Sequence, residues 1–169
     1  VYSVCGSLPA LLAEVRSRSL HTGSPHGEWP EQSLMQLPDV FSRFRPHIDA
    51  ELKGALSQGD LPLYDMLRYH MGWLDEEFRP TETVAGTAVR PALCLFACDS
   101  VGGDWNRALP AAAAIELIHN FSLIHDDIQD GDTRRHHRST LWFCWGHSHG
   151  LNSGDAMNVL AHLALLHNG

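Results

Sequence analysis

Apolar residues recur every three to four positions along most of the chain from Leu34 onward, which is the spacing of an amphipathic α-helix. No segment shows the sustained alternation of polar and apolar residues that predicts a half-buried β-strand. The sequence therefore predicts an all-α fold, a bundle of five or six helices. The predicted helices cover about residues 34–56, 62–74, 91–101, 105–130 and 147–167.

Residues with known boundary preferences stand at the ends of these segments. Pro91 suits the first turn of a helix, and a pair of glycines ends the same segment ten residues later. Asp104 precedes the long segment as a candidate N-cap, and Gly131 follows its last residue, where a left-handed conformation is common. We therefore expect one continuous helix over residues 105–130 and a polar loop over residues 131–140.

The first 32 residues lack the helical spacing, apart from a short candidate helix at residues 8–18. Turn-forming residues dominate HTGSPHGEWPEQ at positions 21–32, which is typical of a linker. We therefore expect a poorly ordered N-terminal extension over residues 1–32 and one helical domain over residues 33–169. The chain begins without Met and without the basic leader of a signal peptide, which indicates a processed N-terminus or an incomplete sequence.

Composition and charge exclude several classes of protein. The chain has 169 residues, 44% of them hydrophobic and 19% charged, as in an ordinary globular domain. Its net charge of −8 argues against a nucleic-acid partner, because phosphate backbones require a basic surface. No apolar run approaches the roughly 20 residues of a membrane span. The four cysteines show no disulfide framework, which favours a reducing, cytoplasmic location.

The most distinctive segment is NFSLIHDDIQDGDTRRHHR at positions 120–138. Asp126 and Asp130 are four residues apart and therefore project from one helix face, with Asp127 beside them. Like charges at this spacing cost about 0.2–0.5 kcal/mol per pair, and each acid also opposes the helix dipole. A solvated acidic helix end is the bland interpretation. The apolar residues before the cluster favour a site instead, because they place it at the end of a buried helix.

A divalent cation would relieve the repulsion within this cluster. Carboxylate oxygens without cysteine favour a hard ion, and Mg²⁺ typically bridges one or two carboxylates to phosphates of a substrate. Three arginines follow the cluster and are candidates for binding the remaining phosphate oxygens: Arg134, Arg135 and Arg138.

Asp126-Asp127-Ile128-Gln129-Asp130 resembles DDxxD, the first aspartate-rich motif of the trans-polyprenyl diphosphate synthases. RPALCLFACDSVGGD at 90–104, AAAAIELIHNFSLIHDDIQDGD at 111–132 and NSGDAM at 152–157 are similar to segments of that family in the same order. The resemblance covers about residues 34–169. It implies an isoprenoid synthase fold with a central cavity. It also implies the condensation of an allylic diphosphate with isopentenyl diphosphate, assisted by Mg²⁺.

The resemblance also implies roles for individual residues. Asp126, Asp127 and Asp130 would be catalytic, with Asp126 and Asp130 as the Mg²⁺ ligands and Asp127 supporting them. The phosphate contacts would be Arg135 for the allylic diphosphate, and Arg90 and His119 for isopentenyl diphosphate. Phe121 and Ser122 would lie where the family sets product length, and the bulky Phe121 would favour products of farnesyl or geranylgeranyl size.

Several positions depart from the family pattern. Thr87 and Ala88 replace the usual Lys and Arg, and His136 and His137 replace the second Arg and the Gly of an Arg-Arg-Gly motif. An alternative alignment, shifted by one residue, would make Arg134 and Arg135 the two arginines of this motif. The second aspartate-rich motif does not occur in these 169 residues. The resemblance therefore predicts the N-terminal half of a synthase, with a homodimer or a partner chain completing the bundle.

Other functions remain open at this stage. The chain is a candidate for a non-catalytic binding or regulatory subunit of a heteromeric prenyl synthase, which its missing cationic positions favour. A metal-dependent phosphohydrolase would use His125 and Asp126 together with His119, His70 and Asp155. A helical interaction module with an acidic surface is the least specific alternative.

Overall fold

Six α-helices and one short 3₁₀ helix occur in the part of the chain that the computed structural model describes, which is residues 37–57, 59–81 and 88–166, with side chains from residue 42. The α-helices are α1 (Leu37–Leu56), α2 (Pro62–His70), α3 (Val89–Ser100), α4 (Leu109–Asp130), α5 (Leu141–Trp145) and α6 (His147–Leu166). The 3₁₀ helix, Trp105–Ala108, precedes α4. The prediction of an all-α fold is confirmed.

The long helix α4 ends where the sequence predicts, but it begins later than predicted. The Asp104 carboxylate accepts a hydrogen bond from the backbone N–H of Asn106, as a cap does, and Gly131 ends α4 with a φ of 70°. The single predicted helix over residues 105–130 is wrong at its start, where a 3₁₀ turn precedes the α-helix. Pro110 explains the change, because its ring cannot continue an α-helix from the preceding turn.

Two other boundaries differ from the prediction for local reasons. The second helix ends at His70 and not at residue 74, because Gly72 has a φ of 81° and turns the chain away. The predicted polar loop after α4 contains a small hairpin, β1 (Arg134–Arg135) and β2 (Arg138–Ser139). Strands of two residues are too short to produce an alternating pattern. The five-residue helix α5 was likewise not predicted.

The core of the domain is built around α4, which packs against α6, α3 and α1. Its apolar side chains fill the interior together with those of α1, α2, α3 and α6. The largest fully buried ones are Phe44, Ile48, Leu56, Leu67, Leu95, Leu117, Ile124 and Met157. Gly150 and Gly154 of α6 allow the close approach to α4. A Cβ atom at Gly150 would lie 2.9 Å from both the Ile128 side chain and the Trp142 Cβ.

The described residues belong to one compact unit, Met35–Gly169. The predicted N-terminal extension at residues 1–32, the candidate helix at residues 8–18 and Thr87 lie outside the described residues. That division of the chain therefore stays a prediction. Within the described part, none of the helices combines the length and the apolar character that a membrane crossing requires.

Candidate active site

The acidic cluster occupies the last turn of α4, where its three carboxylates face two different environments. Asp126 and Asp130 are exposed, whereas Asp127 is only 2% exposed. The helical period explains the split, since the residue that follows Asp126 is rotated by about 100° toward the interior. The turn is closed by the carbonyl of Asp127, which accepts hydrogen bonds from the backbone N–H groups of Gly131 and Asp132.

Asp127 forms a buried ion pair with the hairpin. Nε of Arg135 donates a hydrogen bond to its Oδ1 at 2.7 Å, and the two side chains are 28% and 3% exposed. Burial raises the pKa of the Asp127 carboxyl, and the guanidinium of Arg135 opposes that shift. The pair fixes the direction of the Arg135 side chain. The sequence placed Asp127 beside the metal ligands, and the structure turns it inward to Arg135.

Asp126 and Asp130 form no ion pair with any other described residue. Both carboxylates lie at the carbonyl end of α4, where the helix dipole adds to the negative potential. Among the described residues, no three His, Cys, Asp or Glu side chains converge as a complete metal site. Two free carboxylates still fit Mg²⁺, because this ion usually takes one or two protein carboxylates and completes its shell with water and phosphate oxygens.

A cavity of about 660 Å³ opens next to Asp127, between α1, α2, α3, α4 and the hairpin. Three of the predicted phosphate-binding residues, Arg90, His119 and Arg135, line it. They come from α3, α4 and β1, so the packing brings together residues that are up to 45 positions apart in sequence. The cavity therefore combines cationic side chains from separate elements beside the acidic helix end.

Low solvation in this cavity disfavours the charged forms of His119 and Glu116. Burial lowers the pKa of His119, and the guanidinium groups of Arg90 and Arg135 lower it further. Burial raises the pKa of Glu116, against the effect of the nearby Arg90. Both changes reflect low solvation of the wall of α4 that faces the cavity. An anion in the cavity would interact strongly with its arginines, because solvent screens buried charges poorly.

The hairpin geometry distinguishes the two possible alignments of this chain with the Arg-Arg-Gly motif of the family, in which Arg135 is either the first or the second arginine. Arg134 pairs with Ser139 and Arg135 with Arg138, so consecutive side chains of β1 point to opposite faces. Arg135 lines the cavity, while Arg134 is exposed and lies outside it. This arrangement favours the alignment without the one-residue shift, and the choice between the two alignments stays a prediction. In the alignment without the shift, the second position of the motif is His136, which also lines the cavity.

Arg138 also lines the cavity, and it contacts the backbone of the neighbouring elements. Its two terminal amino groups donate hydrogen bonds to the carbonyls of Tyr69 at 2.9 Å and Leu74 at 2.6 Å. Its guanidinium also lies 4.2 Å from the centroid of the Tyr69 ring. The Tyr69 hydroxyl donates in turn to the carbonyl of Ser139. These contacts attach the hairpin to the end of α2.

The two residues predicted to set product length do not line this cavity. Phe121 packs against the apolar core, with its ring edge-to-face with His125 at 4.8 Å. The Ser122 hydroxyl donates a hydrogen bond to the carbonyl of His119 at 2.7 Å. Phe121 projects from another side of α4 than Glu116, whereas Ser122 lies next to His119 on the helix surface without lining the cavity. Their role in product length stays a prediction.

The residues of the phosphohydrolase alternative do not form one metal site. His125 lies 3.7 Å from Asp155, whereas His70 and His119 line the cavity. No metal-binding group of three occurs among the described residues, so the structure does not support this alternative. No sequence pattern indicates another role for His70. It lines the cavity from the end of α2, a position that no local pattern reveals, because Asn120 and Arg135, which act on its side chain, are 50 and 65 positions away.

The sequence of this chain is similar to those of known proteins. Residues 72–168 match the family model described as Polyprenyl synthetase. Over 101 residues the chain is 48% identical to the (2E,6E)-farnesyl diphosphate synthase of Mycobacterium bovis, covering 60% of this chain and 28% of the relative. Over 122 residues it is 37% identical to the geranylgeranyl diphosphate synthase of Mycobacterium tuberculosis, covering 72% and 35%.

Solved structures show the same fold. The crystal structure of polyprenyl synthetase from Streptomyces coelicolor A3(2) superposes with a TM-score of 0.74 at 36% sequence identity, over 78% of this chain and 39% of that one. The chain thus spans between about a quarter and two fifths of the length of these relatives. Because the family model covers more than half of the chain and the fold and motif order agree with it, the chain belongs to the polyprenyl synthetase family.

Proposed function

We propose that this chain binds an allylic diphosphate and isopentenyl diphosphate and takes part in prenyl transfer between them. The observation that supports the proposal is the cavity beside α4, which gathers Arg90, His119 and Arg135 together with Asp127 of the aspartate-rich motif. Its relatives from the two Mycobacterium species are named as synthases of prenyl diphosphates. The comparisons give no preference to a non-catalytic subunit.

The proposed role of the cationic residues is to bind and orient the two diphosphates. Arg135 presents its guanidinium at the cavity wall, held by Asp127, and would bind the allylic diphosphate. Arg90 and His119 lie on α3 and α4 and would bind isopentenyl diphosphate. Arg90 is exposed and free to adjust to the ligand. Such a clamp would hold the reacting carbon atoms close together, which lowers the entropic part of the barrier.

Asp126 and Asp130 would hold Mg²⁺ through their exposed carboxylate oxygens. The ion would neutralise charge on the departing diphosphate, which is the chemistry that ionisation of an allylic diphosphate requires. Apolar side chains from three helices and the turn after α2 line the cavity beside the cationic residues: Leu52, Met71, Trp73, Val89 and Leu123. Such a wall offers no competing nucleophile to an allylic cation.

The test is direct binding of geranyl diphosphate to the 169-residue chain by calorimetry, with and without Mg²⁺. We expect Mg²⁺ to increase the affinity, and the double substitution Asp126→Asn and Asp130→Asn to remove that increase, about tenfold or more. Asp60→Asn is the matched control, because Asp60 is exposed and lies outside the site. Equal Mg²⁺ dependence in the double variant and the wild type would show that the metal site is misassigned.

A second experiment addresses turnover. Radiolabelled isopentenyl diphosphate is incubated with geranyl diphosphate, Mg²⁺ and the chain, and the product is extracted and separated by chain length. A labelled prenyl diphosphate product would establish catalysis by this chain alone and exclude the non-catalytic alternative. Binding of both substrates without product would restrict the function to binding.

We also propose a cytoplasmic, dimeric protein. The described cysteines, Cys94, Cys98 and Cys144, are free thiols, as expected in a reducing compartment. Apolar side chains on α6 are exposed and favour association with a second copy of the chain: Leu151, Val159, Leu163 and Leu166. Light scattering should give twice the mass of one chain, and a monodisperse monomer would contradict the dimer.

A further inference from the structure

His70 is the last residue of α2, and its part-buried side chain lines the same cavity as the proposed diphosphate ligands. The charged groups that act on it are Arg135 and Arg138 of the hairpin, together with the imidazole of His119 on α4. A hydrogen bond to Asn120 is its neutral polar contact. His70 therefore faces basic groups from two different elements of the fold.

Two of the three acidic residues that line the cavity are paired with arginines. Asp49 accepts both hydrogen bonds from Nε of Arg45 on α1, and Asp127 is paired with Arg135. None of the carboxylates is among the groups that shift the pKa of His70. The remaining titratable or charged groups that line the cavity are Tyr69 on α2, Arg90 on α3, Glu116 on α4 and His136 at the hairpin turn.

We propose that His70 is a further diphosphate-binding residue and that its imidazole binds a proton as the diphosphate enters the cavity. The proposal rests on the function proposed above and assigns to the same site a residue outside the aspartate-rich and arginine motifs. A neutral imidazole among two arginines and a second histidine has no carboxylate partner among the residues that the structure describes. A diphosphate in the cavity would supply that partner and leave His70 as one of its cationic donors.

Burial and the two neighbouring arginines lower the pKa of His70 to about 4, so the free protein holds it neutral at physiological pH. A multiply charged anion a few ångströms away favours the imidazolium form and raises that pKa. Diphosphate binding would therefore take up a proton, and affinity would fall as the pH rises. A lysine or arginine at this position would give no such dependence, because either stays protonated throughout.

The experiment measures binding of inorganic pyrophosphate to the full chain by calorimetry at about pH 6, in two buffers that differ in ionisation enthalpy, which gives the number of protons taken up. His70→Gln and His70→Asn are compared with the wild type, because neither side chain can be protonated. His149→Gln is the matched control, since His149 is exposed on α6 and lies outside the cavity. Circular dichroism verifies that each variant is folded.

We expect the wild type and the His149 variant to take up about one proton more than the two His70 variants. We also expect wild-type affinity to fall more steeply with pH, by up to about tenfold per pH unit. Titration of pyrophosphate itself cancels in this comparison. Equal proton uptake and equal affinity in wild type and His70 variants would overturn the role of His70 and leave the diphosphate site intact. No binding of pyrophosphate to the folded wild type would overturn the diphosphate site itself.

Discussion

The turn of the hairpin contains two histidines in a conformation that suits glycine. His136 and His137 have φ angles of 48° and 66°, and they are the two central residues between β1 and β2. Two-residue hairpins of this type require positive φ at both positions and strongly prefer Asn-Gly. We therefore expect His137→Gly to stabilise the protein.

The magnitude follows from two opposing terms. A non-glycine residue in the left-handed region costs about 1–2 kcal/mol, and His137→Gly removes this cost. Glycine also gains freedom in the unfolded chain, which costs about 0.4–1 kcal/mol. The expected net gain is about 0.5–1 kcal/mol. The hairpin is attached to α2 by Arg138 and Tyr69, so a local gain should appear in the global unfolding free energy.

The assay is urea unfolding followed by far-ultraviolet circular dichroism. With a slope of about 2 kcal/mol per molar urea, the midpoint should rise by about 0.3–0.5 M in His137→Gly. His137→Ala is the matched control, because it removes the imidazole and keeps a Cβ in the left-handed region. Its midpoint should not rise. Equal midpoints for the Gly and Ala variants would refute the argument from backbone strain.

Three further predictions concern stability. His70→Gln should flatten the pH dependence of the unfolding free energy. The folded pKa of His70, about 4, lies below the ordinary 6.5, so its contribution to wild-type stability is complete above about pH 6.5 and decreases by about 3 kcal/mol toward pH 4. Parallel curves of stability against pH for the two proteins would contradict this. Gly150→Ala should destabilise the protein by about 1–3 kcal/mol through a clash at the crossing of α4 and α6, whereas Gly54→Ala has no atoms near the added methyl group and should stabilise it by about 0.5–1 kcal/mol. Thermal unfolding compares the two variants, and equal effects would show that the helix crossing is not tight. In urea unfolding, Arg138→Gln should lower the unfolding free energy by about 2–3 kcal/mol because two carbonyls lose a charged donor, whereas Arg79→Gln at an exposed position should lower it by under about 1 kcal/mol. Similar losses in the two variants would show that the backbone contacts of Arg138 contribute no more than an exposed ion pair.

Local patterns were sufficient to predict the helices that surround the site. The three-to-four spacing depends on residues within one or two turns, so it identified the segments of α1, α2, α3, α4 and α6. Gly131 marked the end of α4 because a left-handed residue is needed there. The errors occurred where nearby residues carry little pattern, at the 3₁₀ turn before Pro110, at the two-residue strands and at α5.

The sequence also determined the family and predicted the chemistry of the acidic turn. Helical periodicity alone places Asp126 and Asp130 on one face, and their oxygen ligands alone favour Mg²⁺ over softer metals. The order of several separated motifs led to the polyprenyl synthetases, and the family match over residues 72–168 confirmed it. These conclusions need only covalent spacing and residue type.

Only the tertiary structure decided what surrounds the cavity beside α4. It turned Asp127 inward to Arg135, placed Arg134 outside the cavity, and used Arg138 to attach the hairpin to α2. It also brought His70 to the cavity wall. These contacts join residues separated by 8 to 69 positions, and they depend on helix packing and hairpin register. No local spacing in the sequence encodes the directions in which separate elements meet.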